Sequence, residues 1–138
     1  LLAQLKRLPA AKLTSHGNWS VSQVFQHLAQ SIRYSRLGYP QAKSALFQYT
    51  AGAAALNVFS ASGAMVHPLN EPIPGAPPLV DAVPNDVALA ELVTEIELFI
   101  AWQGELAPHF AYGNLTKAQY YSAHYLHVQN HLQEITLS

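Results

Sequence analysis

Apolar and polar positions along the 138-residue chain fall into helical periods separated by prolines and glycines. Residues 1–8, LLAQLKRL, read as the end of an amphipathic helix stopped by Pro9, whose ring blocks continuation. In GNWSVSQVFQHLAQSIRYSRLGYP, Val21, Val24, Phe25, Leu28 and Ile32 form one apolar stripe, which predicts a helix from about 21 to 37. Ser20 is its N-cap, Gln23 closes a capping box, and Trp19 is placed to staple onto Val24. Gly38 suits a left-handed C-cap, and Pro40 prevents extension.

Residues 41–63 are Ala-rich and read as helix in one or two pieces, with Gly52 as the interruption. From 67 to 84, HPLNEPIPGAPPLVDAVP holds six of the nine prolines and predicts an ordered loop crossing the surface. Asn85 or Asp86 then caps a helix to about 106, ended by Pro108. Its stripe is Leu89, Leu92, Val93, Ile96, Phe99 and Ile100, with Glu91, Glu95 and Glu97 mostly outside. A last helix begins at a second capping box, Thr116 with Gln119, beside a second staple, Leu115 with Tyr120. It runs to about Ile135, with Tyr121, Val128, Leu132 and Ile135 as its apolar stripe. No segment alternates as a strand does. Four helical stretches joined by one long crossover predict a single all-α domain over 1–138, a four-helix bundle with a Pro-rich crossover loop.

Composition sharpens this picture. Charged residues are only 11% of the chain, so part of the surface is neutral polar or engaged with a partner, for which a homodimer is the natural form. A net charge of −1 with seven Lys and Arg gives no basic footprint for nucleic acid. Six of those seven bases lie within residues 1–43, where there is no acid, and all eight acids lie from Glu71 onward. That asymmetry predicts salt bridges from the early helices to the later ones; the alternative is a weakly basic mouth for an anionic ligand at Arg33 and Arg36. With no cysteine, any metal must be held by imidazole and oxygen. No apolar run approaches the ~20 residues that span a bilayer. The chain starts at Leu1 without Met, which leaves room for an upstream targeting segment, and a cytoplasmic location is the default.

The stretch HYLHVQNH, residues 124–131, carries three of the seven histidines. On a helix His127 and His131 are neighbours, with Cβ atoms ~5–6 Å apart, and so are His124 and His127. His124 and His131 are separated by roughly 10 Å along the axis. HVQNH therefore competes with HYLH as a two-imidazole site, and either needs a third ligand. His27 lies off the centre of the second helix's stripe, in a polar band with Gln23, Ser31 and Tyr34 that resembles a site-lining face. Such histidines also occur as buried, hydrogen-bonded core residues. Val128 follows His127 where the HExxH motif requires glutamate, which excludes a zinc protease of that type. His16 reads as a surface residue, and His67 and His109 as loop histidines or residues of a site's mouth.

Taken in order, NWSVSQVFQHLAQSI, GYP, IPGAPPL, HFAYGNLTKAQY and HVQNHLQEI resemble the DinB-like superfamily over nearly the whole chain, within a branch of bacterial proteins of unknown function. The resemblance implies a four-helix bundle, often dimeric, that holds a divalent ion with one histidine of the second helix and an HxxxH pair of the last. Matched by position, those ligands are His27, His127 and His131; His124 matches none and takes a structural or supporting place. Three neutral imidazoles suit zinc or nickel, with iron also compatible, and leave positions open for water or substrate. Relatives of this kind include thiol-dependent S-transferases and isomerases that use low-molecular-weight thiols, and metal-dependent hydrolases. The expected activity is thus metal activation of a water or a thiol, and the absence of cysteine fits a thiol brought by a cosubstrate. His109, His124, Tyr34 and Glu134 are the general-base candidates. The competing expectation is a non-catalytic helical module that binds a small apolar ligand or dimerises, favoured by the low charge and the neutral segment 45–65.

Overall fold

A computed structural model describes residues 1–41 and 71–138. The Ala-rich segment with Gly52, and His67 with the first part of the proline-rich stretch, lie outside the described residues. Among those described, the elements are α1 (Leu2–Lys6), a 3-10 turn (Ala10–Lys12), β1 (Leu13–Ser15), α2 (Val21–Leu37), α3 (Asn85–Ala101), α4 (Lys117–Leu132) and β2 (Ile135–Leu137). The described residues are mostly helical, with a small two-stranded antiparallel sheet.

The bounds of α2 are those its punctuation predicts. Ser20 Oγ accepts from the Gln23 amide at 3.2 Å and Gln23 Oε1 from the Ser20 amide at 3.0 Å, so two of the helix's orphan donors are satisfied reciprocally. Val21, Val24, Phe25, Leu28 and Ile32 are all buried. Gly38 has a positive φ of 100°, as expected, but its ψ of 135° is extended rather than left-handed helical. The chain consequently swings away, and the Tyr39 hydroxyl returns to donate to the Ser31 carbonyl at 2.8 Å.

α3 departs from expectation at both ends. Pro84 is the N-cap, and the Asn85 side chain donates instead to the Ala10 carbonyl at 3.4 Å. The helix stops at Ala101 rather than near 106, because Trp102 turns extended (φ −68°, ψ 128°) and Lys117 Nζ donates to the carbonyls of Ile100 and Trp102, each at 2.8 Å. A cation from a distant element thus completes the C-terminus. Glu95, expected outside, is 6% exposed, whereas Ile100 is 49% exposed. Glu95 is buried because α2 directs two arginines at it: Arg33 Nε at 3.0 Å and Arg36 NH2 at 2.7 Å, with Arg33 also paired to Glu91. Lys6 and Glu97 form a looser exposed pair at 3.6 Å. The early bases therefore bridge to the later acids, and Arg33 and Arg36 make no mouth for an anion.

In α4 the Thr116 and Gln119 capping box forms at both bonds, 3.1 and 2.9 Å. The buried face is rotated from the apolar stripe: Tyr121 is 54% exposed, while Tyr120, Ala123, His124, Val128 and His131 are buried. Hydropathy misplaced the face because three of its seven buried residues are tyrosine or histidine. The helix ends at Leu132 rather than Ile135, since Ile135 enters β2 opposite Ser15. With Thr14 facing Thr136 and Leu13 facing Leu137, this antiparallel pairing ties the lead-in of α2 to the exit of α4. His16 is exposed on this seam, its Nε2 2.6 Å from Thr136 Oγ1.

Residues 71–84 form no helix or strand. Glutamines of α2 outside the His27 band hold this segment: Gln26 donates to the Val80 carbonyl at 2.7 Å and accepts from its amide at 3.0 Å, and Gln30 donates to the Pro77 carbonyl at 3.1 Å. Among the described residues no helix is long and apolar enough to cross a membrane.

Candidate metal centre

Because β1 and β2 pair, the first turns of α2 lie against the last turns of α4, and His27 comes to face His127 and His131. The three ring centroids stand 5.0, 4.9 and 4.8 Å apart, close to an equilateral triangle. One nitrogen from each ring lies within 4.8 Å of the others. His27 Nε2 and His127 Nε2 are 3.2 Å apart. Two nitrogens bound at ~2.0–2.1 Å to one tetrahedral ion stand about 3.3 Å apart, so this edge already has the width of a shared ion. His27 and His131 are buried and His127 is half-buried, a donor set reachable from one side.

Two further residues frame the triad. Trp19 lies 4.9 Å from the His27 ring and stacks on His131 at 6.1 Å with planes 10° apart. It is therefore a wall of the site as well as a residue preceding a helix. Glu134 lies 3.8 Å from His131 Nδ1, and its carboxylate fills the space beside Gly17, where an added Cβ would sit 2.1 Å from Oε1. Burial raises the Glu134 pKa.

The family model described as Protein of unknown function (DUF1569) matches residues 1–138. The chain belongs to the DUF1569 family. No curated protein and no solved structure matches it.

In this DUF1569 chain His124 stands apart from the triad. It is buried against Phe99 at 5.1 Å and stacked on Tyr120 at 5.3 Å, and burial lowers its pKa to about 3. His109 is also buried, in the turn before α4, where Nδ1 accepts from the amides of Ala111 (3.0 Å) and Tyr112 (3.1 Å). Burial, with His124 nearby, holds its pKa at about 3. Imidazoles with so low a pKa are weak bases near neutral pH, so neither suits the general-base role considered for it. Tyr34 packs 5.8 Å from Tyr39, and neither it nor Glu134 lines the cavity described next.

A cavity of about 330 Å³ opens against His27 and His127. Among the described residues, Ile73 and Pro74 of the proline-rich loop, Phe110 and Tyr112 of the turn, and Ala123 of α4 contribute to its apolar wall. Apart from Ala123, these residues come from loops without periodicity; they lie within the stretches IPGAPPL and HFAYGNLTKAQY, which the sequence marked as motifs without assigning them to a cavity.

Proposed function

We propose that this DUF1569 chain binds a divalent metal ion, zinc or nickel before iron, through His27, His127 and His131, and that it is a metal-dependent enzyme of transferase or hydrolase type on a DinB-like four-helix bundle. The observation that carries this is the near-equilateral imidazole triangle with its 3.2 Å Nε2 edge on the wall of a cavity. When bound, a divalent ion supplies Lewis acidity that makes a water or a thiol nucleophilic near neutral pH. The chain's part is positional: α2 presents His27, α4 presents His127 and His131, and Trp19 packs on the side of His131. The mostly helical architecture and the histidine spacing support the DinB-like assignment. The same likeness carries a homodimer, which light scattering tests; a monomer at micromolar concentration would remove it.

Elemental analysis of the purified protein, before and after reconstitution with zinc and with nickel, tests the site. A stoichiometric divalent ion that is lost on substitution of His27 is the expected result. Failure to take up either ion would leave the alternative, a helical ligand-binding module, which the largely apolar cavity wall favours.

A further inference from the structure

The wall of the cavity beside His27 and His127 restricts what can enter it. Its volume of about 330 Å³ is at the small end of small-molecule pockets. Among the described lining residues Glu71 is the one charged side chain, and it is an acid. The two arginines of α2 are committed to Glu91 and Glu95 on another face. Burial keeps three further polar groups of the wall neutral: the Tyr112 phenol is pushed up to about 12, and His109 and His124 down to about 3. A carboxylate or phosphate brought here loses its hydration and meets no cationic side chain of the wall. An apolar ring or branched chain loses nothing by the transfer and gains contact with Ile73, Phe110 and Tyr112.

We propose that the cavity binds a small, uncharged and largely apolar molecule, aromatic or branched aliphatic, with a single hydroxyl or thiol directed at the His27 and His127 edge. It discriminates against multiply charged thiols and, with no metal at that edge, against acids. The inference rests on the proposed metal centre for the direction of the polar group alone; selection for an apolar body follows from the wall.

The test uses the cobalt(II)-loaded protein titrated with benzyl mercaptan and with glutathione, read by the visible absorption of the cobalt. Benzyl mercaptan is expected to bind at least ~10-fold more tightly, since burying its ring is favourable by area. Equal or tighter binding of glutathione would overturn the proposal. If no cobalt spectrum develops, the metal reading fails separately, and ligand-observed NMR with benzyl alcohol against benzoate decides the cavity's preference without a metal. Preference for benzoate there would also overturn it. Ala111→Trp, in the half-buried turn, should fill the cavity and weaken benzyl mercaptan at least ~10-fold with the cobalt spectrum retained. Unchanged affinity would place the probe elsewhere and count against the proposal, while the comparison of probes on the unsubstituted protein does not depend on that variant folding.

Discussion

His131 and His124 sit seven residues apart on one helix, and the fold assigns them to different surroundings. His131 is fully buried against Trp19, with the His27 and His127 rings 4.9 and 4.8 Å away. His124 faces Phe99 and Tyr120 and takes no part in the triad. His131→Ala should therefore abolish binding of the proposed ion, whereas His124→Ala should cost at most ~10- to 100-fold in affinity, the range of a supporting residue. Elemental analysis with circular dichroism on both variants checks this, and the opposite pattern would move the pair to His124 with His127. The grouping of the three histidines was legible in the sequence because i and i+4 spacing is a geometric fact of helices, and the resemblance read from its ordered motifs was what singled out His27. Trp19 was legible only as a staple, since its place beside His131 depends on the pairing of β1 with β2. That sheet is three residues per strand, too short to show alternation.

At the scale of elements, α3 is joined to α2 by an apolar interface, and to α2 and α1 by ion pairs of very uneven depth. Glu95 and the Arg36 side chain are both nearly inaccessible, while Lys6 and Glu97 are about half exposed. Removing one partner of a buried pair strands the other, at a cost of ~3–5 kcal/mol, whereas an exposed pair contributes ~0–1 kcal/mol. Glu95→Ala should accordingly lower the unfolding free energy several-fold more than Glu97→Ala in urea melts; equal effects would mean that water reaches the seam. The charge asymmetry of the sequence announced this pairing, although helical phase had put Glu95 outside. Where an element's limits depend on its own residues, as with the capping boxes of α2 and α4, the sequence showed them. Where they depend on a distant group, as with Lys117 closing α3, it did not. The rotated face of α4 escaped for a related reason: a core built from Tyr120, His124 and His131 does not score as apolar.

For the whole molecule, a bound ion would connect α2 to α4, which touch far less than α2 and α3 do. Chelation should lower the melting temperature without unfolding the chain, because the stabilisation follows ligand occupancy and the apolar core remains. An unchanged melt with metal release verified would uncouple site from fold. The metal-free protein should also be sensitive to acid through His109 and His124. Both are packed among aromatic rings, with folded-state pKa values of about 3 against an ordinary 6.5. As pH falls below about 6.5 the unfolded chain takes up a proton at each site and the folded chain does not until about 3, so unfolding is favoured throughout that interval. Above the interval their contribution is complete and flat. Each site can remove up to ~1.4 kcal/mol per pH unit, about 2.7 for the two together, from a total that for a domain is roughly 5–15 kcal/mol. Urea unfolding free energies measured in chelator should therefore be level above about pH 7 and fall steeply toward pH 5. In His124→Phe, which keeps a ring against Phe99 and Tyr120, the slope should drop to about half. A flat wild-type profile between pH 6.5 and 5 would mean that water or a carboxylate reaches these rings in the native state, and that the neutral cavity wall they help to form is not neutral.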